Sequence, residues 1–454
     1  MHIKNEMKFY KILSETTNYF YKTAVLTNLL FLAYYLRNEF FKYQNNSKLQ
    51  KKKGNIRGGN DMKKFLAGMM TVAMMFSFVA CSSGEQTQQN DNATDEGENV
   101  ESSVDGSTLL IGGIGPLTGG AASYGNSVKQ GAEIAIAEIN EAGGIKVGDG
   151  VYTFALDFQD DESSEDKAIT AYNSLMDKGM HAMIGTVTSA PCIAVKELSK
   201  QDNILQITPS GSAIDCITDA PNVFRLCFTD PLQGVTMADY VKDAGKTKVA
   251  VIFNNSDDYS TGMKNAFVEQ VKANGGEVVS EEAFNEGDVD FSTQLTKIKG
   301  TDAEMIFCPV YYEAAAYITQ QAKELGMNLP FIGGDGWDGI LAQVTDPSTV
   351  EGAVFLSPFL ATDTAEEVAS FVSKYEQKYN ATPDQFAADG YDTVYVIKAA
   401  IEKAGSIEND AMIAAMTEIT VDGITGSMSF TEDGEPDKSA KFVVIKDGQY
   451  AAME

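Results

Sequence analysis

The sequence predicts an α/β protein of two lobes, each with a parallel β-sheet at its core. The first folded stretch joins a short apolar run at 109–114, through a glycine-rich turn, to an amphipathic helix that begins at Ser127. Strand-like and helix-like segments then alternate with short connections, which is typical of parallel sheets covered by helices on both faces. Roughly 350 ordered residues exceed what one such sheet usually carries, so we expect two lobes.

Apolar runs of strand length alternate with helical segments through the first half of the folded region. A proline near the start of one helical segment, Pro191, stands where its fixed φ is tolerated. Strands are predicted at 109–114, 151–157, 182–186, 204–207 and 222–226, and helices at 127–142, 163–178, 191–200 and 231–244.

The second half continues the alternation and then ends in segments that we expect to be antiparallel strands. Its clearest strand is the β-branched run at 248–253. Further strands are predicted at 276–283, 304–308, 331–333 and 353–357, helices at 260–273, 292–299, 313–325, 365–379 and 387–404, and the final strands at 428–431, 440–445 and 450–453.

Two segments of opposite charge are joined near Met62. Residues 1–61 carry 11 Lys and Arg against 4 Asp and Glu, whereas the chain from Cys81 onward carries 22 against 60. The formal net charge of the whole chain is −29, and no basic surface is available to neutralise phosphates. These charges argue against a nucleic-acid partner.

Residues 62–80 have the organisation of a secretory signal peptide, with two lysines followed by an apolar run. Cys81, directly after this run, resembles a bacterial lipoprotein processing site, where the cysteine is lipidated and becomes the new N-terminus. Phe78 stands where leucine is usual, and an uncleaved membrane anchor is the alternative. In either case we expect the rest of the chain at the extracytoplasmic face of the cell membrane.

Residues 1–61 precede this signal peptide, which is normally N-terminal. Their apolar run at 23–36 is 14 residues long, short of the about 20 needed for a membrane span. We interpret 1–61 as a non-native upstream extension with Met62 as the true start, and a genuine extra anchor is the alternative. Residues 81–107 contain seven acids after Cys81 and no base, and are predicted to form a disordered tether.

Catalytic motifs are missing from the sequence. It contains no HExxH, GxSxG, P-loop lysine or CxxC pattern, and only two histidines. The glycines at 113, 115 and 119 give GxGxxxG, which is not the dinucleotide fingerprint. We therefore expect neither enzymatic activity nor a cofactor or metal.

Hydroxyl and glycine residues recur where predicted strands end, at 184–189 and 207–212. Such positions, with backbone N–H groups where helices begin, suit a small carboxylate. Asp335 follows another strand and can receive an ammonium, and tyrosines occur at comparable positions. Together they describe an α-amino acid site. Each residue alone also has a purely structural interpretation, such as a helix N-cap for Ser189 and Ser212.

From Thr108 to its end the chain resembles the substrate-binding proteins of branched-chain amino acid ABC transporters, the leucine/isoleucine/valine-binding family. The stretches that carry the resemblance occur in family order: IGPLTGGAASYGNSVKQGAEIAIAEINEAGGI, MIGTVTSAPC, ILQITPSGS, VFRLCFTDPLQG, AVIFNNSDDYSTG and MIFCPVYYEAAAYITQQAKELGMNLPFIGGDG. The resemblance implies two Rossmann-like lobes with parallel-sheet cores joined by a three-segment hinge, the type I periplasmic-binding fold. It places the crossings near 229–231, 357–358 and 425–427, with lobe one at 108–229 plus 359–426 and lobe two at 230–358 plus 427–454.

The resemblance also implies the ligand contacts. Ser189 and Ser212 would hold the ligand carboxylate, while the backbone carbonyl of Ser210 and the side chain of Asp335 would meet the ammonium. The family often has glutamate at the Asp335 position. Trp337 either shapes the pocket or is structural. The walls around the ligand side chain would be Tyr124, Val187, Tyr259, Tyr311 and Phe386.

The expected function is that of a lipid-anchored, monomeric receptor. It would capture an amino acid, branched-chain or otherwise apolar, between closing lobes and deliver it to the membrane permease subunits of an ABC transporter. A sensory module for an amino acid or amide-type ligand is the alternative. The sequence leaves open whether Cys192 and Cys216 form a disulfide or remain free thiols.

Overall fold

The computed structural model describes residues 107–438 and 440–453. The predicted extension 1–61, the signal peptide 62–80, Cys81 and the tether up to residue 106 lie outside the described residues. Among the helices of the described ranges, none combines the length and the apolarity that crossing a bilayer requires.

The first lobe is built on a six-stranded sheet. Its strands are β1 (Thr108–Gly115), β2 (Ile145–Val147), β3 (Gly150–Asp160), β4 (Ala182–Gly185), β5 (Leu205–Thr208) and β6 (Val223–Arg225), and α1 (Ala122–Glu141), α2 (Glu165–Asp177) and α3 (Ser189–Asp202) connect them. The strand order is β2-β3-β1-β4-β5-β6, and all neighbours are parallel except the β2–β3 hairpin.

The second lobe is built on a seven-stranded sheet. The chain continues through α4 (Asp230–Asp243), β7 (Lys248–Asn254), α5 (Asp258–Ala273), β8 (Glu277–Phe284), α6 (Ser292–Lys299), β9 (Met305–Phe307), α7 (Tyr312–Glu324), β10 (Phe331–Ile332) and β11 (Val354–Ser357). After β11 the chain leaves this sheet and forms α8 (Glu366–Tyr379), α9 (Gln385–Ala404), α10 (Asn409–Ala415) and a separate pair of antiparallel strands, β12 (Thr420–Gly423) and β13 (Gly426–Ser429). It then returns to the sheet with β14 (Lys441–Lys446) and β15 (Gln449–Ala452).

In this second sheet the strand order is β15-β14-β11-β10-β9-β7-β8. The five strands from β11 to β8 are parallel, and β14 and β15 add antiparallel pairs at the other edge. Two sheets of mainly parallel strands confirm the predicted α/β class and its two lobes. The predicted antiparallel ending is also present.

Helix α1 begins five residues earlier than predicted, at Ala122 rather than Ser127. Its first turn carries few aliphatic residues, so the apolar periodicity did not reveal it. The turn is fixed by Asn126, whose side-chain Nδ2 donates to the carbonyls of Leu117 (3.0 Å) and Ala122 (2.7 Å). Tyr124 therefore lies on a helix and not in the preceding glycine turn.

Two glycines allow α1 and α9 to pack in close contact in the first lobe. A Cβ on Gly131 would lie 1.8 Å from the carbonyl oxygen of Ala387, and a Cβ on Gly390 would lie 2.2 Å from that of Val128. Any larger side chain would push the helices apart. This contact brings the start of α9 next to the first turn of α1.

The chain enters the second sheet for the last time later than the predicted crossing at 425–427. Residues 430–438 still contact the first lobe: the Arg225 N–H of β6 donates to Gly434 O (3.1 Å), and the Arg225 guanidinium pairs with Glu435 (2.9 Å). Lys438 Nζ lies 3.2 Å from Asp389 of α9. The next strand of the second sheet, β14, begins only at Lys441, because these buried polar contacts hold the preceding segment on the first lobe.

Candidate ligand-binding site

The hydroxyl residues after β4 and β5 meet at the carboxyl edge of the first sheet. Ser189 is the first residue of α3, and its Oγ accepts a hydrogen bond from the Ala213 N–H (3.2 Å). Ser210 Oγ donates to the carbonyl of Val187 (2.6 Å). All four predicted site residues in this pair of loops (Val187, Ser189, Ser210 and Ser212) are buried, so the two strand ends form one polar surface.

Two polar side chains at this edge have no hydrogen-bond partner among the described residues. They are Ser212, through its Oγ, and Asp230, through both carboxylate oxygens. Both residues are buried. The Asp230 N–H donates to Ser212 O (3.0 Å), which ties the start of α4 to the same loop. Burial raises the pKa of Asp230 well above its ordinary value. The carboxyl edge of the first sheet thus carries buried polar atoms that a ligand could pair with.

Asp335 lies on the opposing lobe, three residues after β10, with only 5% of its surface exposed. Its Oδ1 accepts a hydrogen bond from the Tyr259 hydroxyl (3.0 Å), and that hydroxyl in turn accepts from the Gly336 N–H (3.0 Å). Burial, only partly offset by hydrogen bonds, raises the pKa of Asp335 to about 6. At neutral pH the group is a carboxylate in a site that favours a cationic partner.

Tyr124 connects the two lobes directly. Its hydroxyl donates to the carbonyl of Gly336 (2.5 Å) and accepts from the Tyr312 N–H (3.0 Å). Both partners belong to the second lobe. The lobes therefore contact each other across the site, as they would when closed on a ligand.

An aromatic cluster surrounds this contact. The Tyr124 ring lies 4.2 Å from that of Phe386 and 5.6 Å from that of Tyr311, between ring centroids. Tyr311 stacks on Tyr259 with centroids 4.8 Å apart. Four of the five predicted wall residues are thus in one cluster. The fifth, Val187, lies in the loop between β4 and α3, which together with the loop after β5 forms the serine loops. Aromatic and aliphatic walls of this kind suit an apolar side chain.

A cavity of about 550 Å³ opens between the lobes next to these residues. Thr188 and Pro191 line it from the first lobe, and Tyr311 and Asn254 line it from the second. Of the nine predicted contact residues, Tyr311 alone lines this cavity, and the other eight are buried. Its lining contains seven Asp and Glu residues and no Lys or Arg, so it favours ligands without a net negative charge.

Two buried glutamines also contact Asp335, and no sequence pattern indicated either of them. Gln233 Oε1 accepts from the Asp335 N–H (2.8 Å), and Gln385 Nε2 donates to Asp335 O (2.8 Å). Both are buried and fix the backbone of Asp335. They lie 102 and 50 residues from it in the chain, a distance at which no local pattern could have revealed the contact.

Trp337 and the described cysteines lie in the core. The Trp337 side chain is fully buried and its indole N–H donates to Cys308 O (2.8 Å). Cys192 and Cys216 are free thiols, buried behind the serine loops. Within the described ranges, no cluster of His, Cys, Asp and Glu has an arrangement that would hold a metal ion.

Comparisons with known proteins identify the family to which this fold and site belong. The sequence profile of a family described as "Periplasmic binding protein" matches residues 108–449. The chain belongs to the periplasmic binding protein family. The chain's resemblance to branched-chain amino acid substrate-binding proteins is likewise confirmed, and its two lobes are those of the type I periplasmic-binding fold.

Relatives of this periplasmic binding protein are solute-binding proteins and not enzymes. Leu/Ile/Val-binding protein homolog 3 of Brucella melitensis is 30% identical over 351 residues, covering 76% of this chain and 94% of the relative. Leu/Ile/Val-binding protein BraC3 of Rhizobium johnstonii is 32% identical over 307 residues, covering 67% and 82%.

Solved structures of amino-acid-binding proteins also resemble this chain in fold. The leucine binding protein LivK of Thermotoga maritima superposes with a TM-score of 0.71 at 29% identity, covering 76% of this chain and 98% of that one. The branched-chain amino acid transporter substrate binding protein LivJ of Streptococcus pneumoniae, solved in complex with isoleucine, gives 0.70 at 31% identity with the same coverage.

Proposed function

We propose that this protein captures an α-amino acid with a branched-chain or other apolar side chain between its two lobes and delivers it to an ABC permease. One observation carries the proposal: helix α4 joins the buried carboxylate residue Asp335 of one lobe to the serine loops of the other. The Asp230 N–H at the start of α4 donates to Ser212 O (3.0 Å), and Gln233 of the same helix accepts from the Asp335 N–H (2.8 Å). An amino acid zwitterion carries the matching charges at its two ends. Its binding would favour the closed arrangement of the lobes.

The roles of the site residues follow from their chemistry. Asp335, oriented by Tyr259, would bind the ligand ammonium through a charge-assisted hydrogen bond, joined by the backbone carbonyl of Ser210. Ser189, Ser212 and the N–H groups at the start of α3 would bind the ligand carboxylate. Tyr124, Val187, Tyr259, Tyr311 and Phe386 would enclose the side chain.

The names of the relatives support the ligand class. Proteins named for leucine, isoleucine and valine binding match most of the folded region, and the LivJ structure contains isoleucine. The acidic cavity beside the site agrees with a neutral zwitterion, since it would repel acidic ligands.

We also propose that the protein acts as a monomer tethered to the outer face of the cell membrane. The signal peptide 62–80, lipidation at Cys81 and the acidic tether to residue 107 would position the lobes close to the permease. Residues 1–61 would then be a non-native extension. The intact mass of the cellular protein tests this: a product that retains residues before Met62 would contradict it.

A thermal-shift screen of the common amino acids tests the ligand class, because a ligand that binds only the folded state raises its melting temperature. We expect leucine, isoleucine or valine to give the largest shift. The Asp335→Ala variant should keep its fold and lose the shift. The matched control is Asp302→Asn, a change at an exposed carboxylate paired with Lys248, which should respond like the unmodified protein. Equal shifts for Asp335→Ala and the unmodified protein would show that the ammonium is held elsewhere.

A further inference from the structure

A second cavity, of about 820 Å³, lies between the lobes and shares no lining residue with the cavity described above. From the second lobe it is lined by Asp338, Phe355 and Tyr450, and from the first lobe by Ser127 and Val372. None of the nine predicted amino-acid contacts lines it. Its volume is within the range of small-molecule sites.

Two carboxylates from different lobes meet at the N-terminus of α9, on the wall of this cavity. Asp338 Oδ2 accepts from the Gln385 N–H (2.9 Å), and Asp384 Oδ1 accepts from the Ala387 N–H (2.9 Å). Asp384 Oδ2 also accepts from Ser127 Oγ (2.7 Å). The same helix end thus holds both acids near each other.

Asp338 Oδ1 has no hydrogen-bond partner among the described residues, although only 4% of the residue is exposed. Burial and the neighbouring Asp384 raise the pKa of Asp338 to about 8, so in the empty site the group is mostly protonated at neutral pH. A cation bound beside it would stabilise the ionised form and pair the buried oxygen. The cavity lining contains three carboxylates, of Asp338, Asp384 and Glu376, and no Lys, Arg or His.

We propose that this cavity is a second binding site, specific for a protonated organic amine with an apolar body. The ammonium would donate to Asp338 Oδ1 and lie against Asp384. The apolar body would pack on Leu341, Phe355, Phe359, Leu360 and Val372. A metal ion does not fit, because within the described residues no three or more His, Cys, Asp and Glu side chains are arranged to hold one.

The cavity has walls from both lobes, so an amine bound there would contact Asp338 of one lobe and Ser127's helix, α1, of the other. Its binding is therefore coupled to the relative position of the lobes. The proposal stands on these residues alone and does not require that the other cleft binds an amino acid.

Calorimetric titration with 4-phenylbutylamine and its uncharged counterpart 4-phenylbutanol tests the proposal. All titrations use the full chain as the cell processes it, carrying Asp335→Ala, so that the carboxylate of the other cleft cannot bind the amine. We expect the amine to bind at least tenfold more tightly than the alcohol. Equal affinities, or no binding of the amine, would overturn the proposal.

Two variants locate the bound amine. Asp338→Asn keeps an acceptor for the Gln385 N–H while removing the charge, and should weaken amine binding at least tenfold. Val372→Phe, on the wall formed by α8, narrows the cavity without changing charge and should weaken binding of both compounds. Glu367→Gln, at an exposed position of the same helix that does not line the cavity, is the control and should change the affinity less than threefold. Unchanged amine affinity in both Asp338→Asn and Val372→Phe, or an effect of Glu367→Gln as large as theirs, would overturn the proposal.

Discussion

Asp335 is an acid whose charge depends on pH in the range where binding is measured. Burial raises its pKa to about 6 in the ligand-free site. A ligand ammonium binds the ionised form and therefore competes with the proton. The site works only while this one carboxyl is deprotonated.

We therefore predict that amino-acid affinity falls as pH falls through about 6. The dissociation constant should be nearly constant from pH 8 to 7 and should rise roughly tenfold per pH unit well below the pKa. Calorimetry at several pH values measures this. In Asp335→Ala the weak residual binding should lack this dependence, and a dissociation constant that stays constant from pH 7 to 5 in the unmodified protein would contradict the role of Asp335.

Tyr124 provides the second prediction at this scale. Tyr124→Phe removes the hydroxyl that bonds to Gly336 O and the Tyr312 N–H across the lobes. The ring contacts remain, so the closed arrangement alone is weakened. We expect a loss of affinity of roughly fivefold to tenfold, from about 1 to 1.5 kcal/mol of hydrogen bonding.

The control for Tyr124→Phe is Tyr172→Phe, which removes a hydroxyl bond to Asp202 within the first lobe (3.0 Å). Ligand titration of both variants separates the effect of losing the cross-lobe hydrogen bonds from the effect of losing any buried tyrosine hydroxyl. If Tyr172→Phe lowered the affinity as much as Tyr124→Phe did, the cross-lobe contact would not be the reason for the loss.

Helix α9 connects the site to residues 424–425, which follow β12. Its start carries Phe386, and its middle carries two buried acids, Asp389 and Asp392. Asp392 accepts from the N–H groups of Ile424 (3.0 Å) and Thr425 (2.9 Å) and from the Thr425 hydroxyl (2.5 Å). This side chain anchors residues 424–425 to α9 in the first lobe.

Asp392→Ala should therefore destabilise the protein strongly. It leaves three buried donors without their acceptor, for which we expect a loss of about 2–4 kcal/mol in the free energy of unfolding. Urea denaturation measures the change. Glu402→Ala on the same helix removes an exposed pair with Lys398 and should cost less than about 0.5 kcal/mol. Similar losses in the two variants would contradict the anchoring role of Asp392.

At the scale of elements, the sequence allowed the strands to be predicted better than the helix ends. The apolar run at 248–253 falls within β7, because a buried parallel strand is apolar throughout. The three-residue β2, the seven-residue α10 and β12 were not predicted. These elements are short and half exposed, so their formation depends on tertiary packing and not on a local pattern.

For the candidate site, the predictable part was its chemistry. Serines after β4 and β5 and an acid after β10 lie at strand ends, where an open α/β sheet binds its ligands. The positioning glutamines, Gln233 and Gln385, were missed because their partner is distant in the chain. Asp338 and Asp384, which line the second cavity at the start of α9, were also not predicted, because they are distant from each other in the chain.

The part of the chain that the structure describes forms two mainly parallel sheets and a small two-stranded antiparallel sheet, β12-β13. Tyr124 forms hydrogen bonds across the cleft between the two large sheets. In this account a ligand binds tightly only when it contacts both lobes at once, with its carboxylate on one and its ammonium on the other. Neither charge alone would be sufficient, because each lobe would then leave buried polar groups unpaired.

Calorimetric titration of leucine, leucine amide and 4-methylpentanoate tests this central claim most directly. Leucine amide lacks the carboxylate and 4-methylpentanoate lacks the ammonium, while both retain the side chain. We predict that leucine binds and that each analogue binds at least about a hundredfold more weakly, the loss of one charged contact of about 2.7 kcal/mol. Binding of 4-methylpentanoate as tight as that of leucine would contradict the account.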